Sequence, residues 1–124
     1  MTAQTNNVPA RDPQDLERLL IARQHAGDIE GMVALFEPQA LVDCGEGRML
    51  RGHQEIRQYF VEVVASGRKF ARGVQQAAMV CEDLALTSTR LPDGSVTAEV
   101  ARRQNDGIWL WAIDQYTIAS EQRA

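Results

Sequence analysis

HAGDIEGMVALFEPQALVDCGEG, residues 25–47, decides the fold. Gly27 stops one helix, and Asp28 caps a second, short one that carries Ile29, Met32, Val33, Leu35 and Phe36. Pro38 ends that helix. Ala40–Cys44 follows as a short strand, and Gly45-Glu46-Gly47 is turn chemistry. A strand that runs into a glycine-bracketed turn is a place for a reactive side chain, and the candidates there are Asp43 and Cys44.

Working outward, Asp12-Pro13 starts the first helix, with Asp as cap and Pro at the first helical position. Leu16, Leu19, Leu20 and Arg23 then recur at helical spacing. Downstream, Arg48–Arg51 returns as a partner strand. From Gly52 a third helix carries one apolar stripe of Ile56, Tyr59, Phe60, Val63 and Val64, closed by Gly67. Four strands follow over 70–81, 84–90, 95–104 and 108–119, joined by short turns of which two are hairpins by composition. Helices first and strands later describe an α+β chain whose helices pack on one face of an antiparallel sheet. Gly73, inside the first long strand, is placed to bend it, and a sheet that bends away from its helices leaves a pocket. One domain over 12–119 is expected, between loose tails at 1–11 and 120–124.

The bulk numbers exclude several function classes. The formal net charge of −4 leaves no footprint for nucleic acid. The start, MTAQTNNVPARDP, has no apolar run, so neither a secretory signal nor a membrane span is read there. Cys44 and Cys81 fit reduced thiols, and the chain reads as cytoplasmic. His25 and His53 have no zinc-ligand spacing to a Cys or carboxylate, and no phosphate-binding or dinucleotide loop is present. No metal and no cofactor is expected.

The order AGDIEGMVALF, then ALVDCG, then RGHQEIRQYF resembles the NTF2-like superfamily, in its SnoaL-like and ketosteroid-isomerase-like branch. The closing RRQNDGIWLWAID resembles the DUF4440 and SgcJ/EcaC-like proteins. The resemblance covers about residues 13–118 and implies a cone, a curved sheet around a helix with a deep pocket, forming a homodimer through the sheet's outer face. In ketosteroid isomerases an Asp base moves a proton while a Tyr and a protonated Asp hold the oxyanion. Counted without gaps from Ala26-Gly27-Asp28, the base position falls on Cys44, just after Asp43, and the tyrosine position on Leu20. Counted back from Gly107, the oxyanion acid falls on Glu99. The frame is implied, and the standard steroid-isomerase chemistry is not.

Each candidate has a bland alternative. On the strand 95–104, Thr97, Glu99 and Ala101 share one face and Val96, Ala98 and Val100 the other. The pleat puts Glu99 outside the main core, whereas the family register puts it inside. Cys44 as a base needs a lowered thiol pKa, and otherwise it is a small core hydrophobe. Asp43 is a base only if the turn swings it inward, and otherwise it stabilises the turn. Tyr59 and Phe60 line a pocket or pack the core. Trp109 and Trp111 share a face with Ile113 and line a cavity or a dimer interface. Asp114 and Tyr116 share the opposite face, where Asp114 is a pocket acid if that face turns inward. Two functions remain: a cofactor-independent proton-transfer enzyme for an apolar, cyclic or polyketide-like molecule, and a non-catalytic ligand-binding or dimerisation domain.

Overall fold

The computed structural model describes residues 8–120, so residues 1–7 and 121–124 of the expected tails lie outside the described residues. Residues 8–10 are tied to the body: Ala10 is buried, its carbonyl accepts from the Trp109 N–H at 2.9 Å, and the Val8 carbonyl accepts from Arg23 at 2.8 Å.

The first helix, α1 (Asp15–His25), begins three residues after Asp12. The Asp12 carboxylate accepts from the Gln14 N–H at 2.9 Å, and Asp15 accepts from the N–H groups of Arg11 and Asp12. The acids therefore build a lead-in turn, and the helix starts when that turn is complete. Asp28 caps α2 (Ile29–Val33) by accepting from the Gly31 N–H at 3.0 Å. This helix is shorter than its apolar pattern predicts. The sheet takes its end, since the Leu35 carbonyl accepts from Trp111 at 2.9 Å and Phe36 already belongs to β1 (Phe36–Asp43). Pro38 thus lies inside a strand, where the register against the neighbour slips between Phe36 and Leu41 and no ladder donor is required.

After β2 (Met49–Arg51), α3 (Gly52–Ser66) buries Ile56, Tyr59, Phe60 and Val63, as its stripe predicts. It ends on Gly67 at φ 78°, a left-handed conformation that glycine adopts without steric cost. The remaining strands are β3 (Val74–Gln75), β4 (Met79–Cys81), β5 (Leu84–Thr87), β6 (Thr89–Arg90), β7 (Val96–Arg103) and β8 (Trp109–Ala119). The sheet runs β2-β1-β8-β7-β5-β4, with β6 on β7 and β3 on β6. Its pairs are antiparallel apart from β1 with β8, which is parallel. Helix α3 packs on β1 and β2, and α1 packs on β8. No helix among the described residues is long and apolar enough to cross a membrane.

Two expected strands are broken. Residues 70–81 hold only the short β3 and β4, because this outer segment has nothing to bury: Val74, Met79 and Val80 are exposed. Gly73 serves a close approach there, since a Cβ would overlap the Arg90 carbonyl. The run 84–90 breaks at Ser88, whose hydroxyl donates to the Thr97 carbonyl while the Thr97 hydroxyl accepts from the Thr89 N–H. Side chains replace ladder bonds at this point, and the sheet turns.

The core centres on Phe36. Its ring lies 5.0 Å from Trp111 and 5.9 Å from Phe60, joining β1, β8 and α3. Phe36→Ala is expected to cost about 3–5 kcal/mol in urea unfolding, because a ring this buried leaves a cavity. Val61→Ala, on the exposed side of α3, should change stability by no more than about 0.5 kcal/mol.

Candidate functional site

A cavity of about 480 Å³ opens between α1, the end of α3 and the inner face of β7 and β8. Its polar floor is built by a single irregularity. Val100 pairs with Ile113 but Ala101 pairs with Trp111, so one step along β7 matches two along β8 and Ala112 is an extra residue. Trp111 points inward. Beyond the bulge the alternation is inverted, so Asp114 and Tyr116 also face the cavity while Ile113 is 48% exposed. The reading that set Trp111 and Asp114 on opposite faces is corrected by this one residue.

On β7 the alternation is unbroken, and the inward set is Thr97, Glu99 and Ala101. The pleat argument that put Glu99 outside is overturned: the other face, though more apolar, is the outer face of the sheet. Glu99 is 5% exposed and lies between Thr87 on β5 and Asp114 on β8 in one cross-strand row. The Thr87 hydroxyl donates to it at 2.6 Å. Burial raises its pKa, and the hydrogen bonds from Thr87 and Thr97 pull the other way. Asp114, 4% exposed, has no such donor among the described residues, and burial plus the nearby Glu99 and Glu17 hold its carboxyl well above the usual carboxylate range.

Glu17 was not anticipated. It sits on α1 one turn before Leu20 and Ile21, and all three line the cavity. That spacing was visible in the sequence, but a glutamate beside an apolar stripe reads as the solvated edge of a helix. The Thr89 hydroxyl donates to Glu17 at 2.7 Å, and burial raises its pKa despite that bond and the charge of Arg72.

The turn after β1 divides its two candidates. Cys44 lines the cavity, donates its thiol to the Arg48 carbonyl at 3.5 Å, and is pushed up by burial, which keeps it a thiol. Asp43 is outside the lining. Its carboxylate accepts from the Gly45 N–H at 3.0 Å and from Gln115 at 3.4 Å, so it stabilises the turn. Leu20 and Tyr59 line the cavity, and the Tyr59 hydroxyl accepts from Arg68 at 3.2 Å. Phe60 and Trp109 do not. Phe60 is core, packed on Phe36 and Tyr59, and Trp109 is buried with Arg103 over its ring. Two wall atoms have no hydrogen-bond partner among the described residues, the indole N–H of Trp111 and the hydroxyl of Tyr116, whose own pKa burial and Asp114 push well up.

No protein-family model and no curated protein matches the chain. Solved structures do. A domain of unknown function with a cystatin-like fold from Nostoc punctiforme is similar at 22% identity and TM-score 0.67, over 86% of this chain and 75% of that one. A candidate dehydratase of the NTF2-like family from Streptomyces avermitilis is similar at 16% identity and TM-score 0.65, over 84% and 93%. A candidate calcium/calmodulin-dependent protein kinase type II association domain from Thiobacillus denitrificans is similar at 15% identity and TM-score 0.70, over 86% and 93%. At these identities the likeness establishes the fold, which is the NTF2-like, cystatin-like one.

The three raised carboxyls make a pH prediction. A carboxyl whose folded pKa lies above its unfolded value contributes stability that is fully present below about pH 4 and is lost as pH rises through the folded value. Asp114→Asn removes that loss with an isosteric neutral group. The variant's unfolding midpoint should equal the parent's near pH 4 and exceed it increasingly toward pH 8, measured by thermal unfolding across that range. A constant difference at all pH values would show that Asp114 is not raised.

Proposed function

We propose that the protein is a small-molecule-binding member of the SnoaL-like, ketosteroid-isomerase-like branch, related to the DUF4440 and SgcJ/EcaC-like proteins. Its cavity moves a proton on a cyclic, largely apolar or polyketide-like substrate, in an isomerisation, dehydration or cyclisation. The observation that carries this reading is the pair Glu99 and Asp114, partners on adjacent strands that open into one cavity with apolar walls. Two carboxyls in unlike environments divide the roles of acid and base. Glu99, with two hydroxyl donors, is the better carboxylate and takes a proton from the substrate. Asp114, with none, keeps its proton and donates it to an oxygen on which charge develops. The donor role that the family register gives to Glu99 thereby passes to the next strand. The protonated thiol of Cys44 and the apolar Leu20 take no part in proton transfer.

Those same two residues favour a second reading, binding without turnover, since they occupy the places where the resemblance puts a base and a tyrosine. Glu99→Gln separates the two. In a panel of cyclic ketones and hydroxyketones, the proton-transfer reading expects the variant to lose about 10²-fold or more in turnover with substrate still bound. An unchanged rate removes Glu99 from the chemistry, and absence of turnover by the parent protein leaves binding as the function.

Assembly as a homodimer is part of the proposal. Met79, Leu86, Val100 and Ile113 align in one row across β4, β5, β7 and β8 on the outer face, and Leu41 on β1 extends it. Met79, Leu86 and Ile113 are exposed. An apolar row of this extent marks an interaction surface. Sedimentation at micromolar concentration should show a dimer for the parent protein and a monomer for Leu86→Lys, which sets a charge in the middle of the row.

A further inference from the structure

The cavity holds more acid than a proton-transfer pair needs. Glu17, Glu99 and Asp114 enter it from α1, β7 and β8. None of them is in an ion pair among the described residues, where the five ion pairs engage other carboxylates. The basic groups of the lining are held elsewhere. Arg68 donates to the Tyr59 hydroxyl and lies 5.4 Å over the Phe70 ring, and Lys69 reaches the His25 carbonyl at 3.5 Å. The charge of Arg72, which is outside the lining, acts on Glu17. The other titratable groups of the lining are Cys44, Tyr59, Asp93 and Tyr116.

A second observation is independent of the acids. Trp111 is 3% exposed, lines the cavity and has an indole N–H without a partner among the described residues. A buried donor left unpaired costs about 1–3 kcal/mol, which a ligand carrying an acceptor recovers. The Tyr116 hydroxyl is in the same position. The rings of Tyr59, Phe70, Trp111 and Tyr116 face the same space, and aromatic faces attract cations within about 6 Å. No group of three or more His, Cys, Asp or Glu among the described residues stands at metal-ligand spacing, so the cation that suits this set is an organic one.

We propose that the cavity takes a protonated amine borne on a ring that also carries a hydroxyl or carbonyl oxygen. The three ammonium N–H groups donate to the carboxylates of Glu17 and Glu99 and to the Tyr116 hydroxyl, and the ring oxygen accepts from the Trp111 indole N–H and from the protonated Asp114 carboxyl. The proposal rests on the small-molecule reading of the same cavity and narrows its substrate. A cation beside Glu99 also keeps that carboxylate ionised, as a base requires.

The test is isothermal titration calorimetry of the full chain with three phenols of nearly one shape: tyramine, para-propylphenol and para-hydroxyphenylpropionate, carrying positive, zero and negative charge. Tyramine should bind at least ~10-fold tighter than para-propylphenol at about pH 8, with the gap narrowing toward about pH 5 as the carboxyls take up protons. Glu99→Gln should weaken tyramine ~10-fold and para-propylphenol by less, and Glu17→Gln, on another element, should act in the same direction. If either uncharged or anionic phenol binds as tightly as tyramine, or if both variants bind tyramine like the parent, the amine proposal falls and the small-molecule reading stands. If none of the three binds at millimolar concentration and the ketone panel shows no binding, both readings fall.

Discussion

One unpaired residue, Ala112, sets what the cavity contains. Strict alternation along β8 would send Asp114 and Tyr116 to the outer face with Trp111 inside. The bulge sends all three inward and pushes Ile113 out into the apolar row of the outer face. A single backbone irregularity thus provides both the buried acid and a member of the exposed surface. The neighbouring devices act in the same way. Thr97 gives up ladder bonding to Ser88 and Thr89, which turns the sheet, and Thr87 and Thr89 use their hydroxyls to hold Glu99 and Glu17.

The price of this arrangement is electrostatic. Three carboxyls are enclosed without an ion-paired cation among the described residues; burial raises all three, Glu17 adds to Glu99, and both add to Asp114, so the chain is less stable near neutrality than the same fold with neutral groups would be. The aromatic cluster around Phe36 and the stripe of α3 supply the apolar burial that offsets it. Such a cost inside a fold is what a site, and not a core, would require.

Much of the frame was legible in the sequence. The stripe of α3, the Asp28 cap, the Gly67 stop and the order of strands rest on local chemistry, and the structure follows them. What was not legible depends on partners distant in sequence. Leu35 and Phe36 leave their helix because β8 offers hydrogen bonds, and 70–81 breaks up because nothing lies beneath it. The pleat alone sets Glu99 outward, because the outer face of β7 is the more apolar one, whereas the family register sets it inward, where the structure has it. The inward turn of Asp114 had no local signal other than the mixed polarity of both faces of β8, which a bulge explains and alternation does not. Glu17 carried a signal in its spacing to Leu20 and Ile21, masked by its charge.

The central claim is that Asp114 and Glu99 share one low-dielectric space. Carbon-13 NMR titration of the side-chain carboxyls tests it most directly, in the parent protein and in Glu99→Gln. The account predicts that Asp114 titrates well above the ordinary carboxylate range and moves down when the charge of Glu99 is removed. An Asp114 that titrates like a surface aspartate, near pH ~4 and indifferent to Glu99, would contradict it.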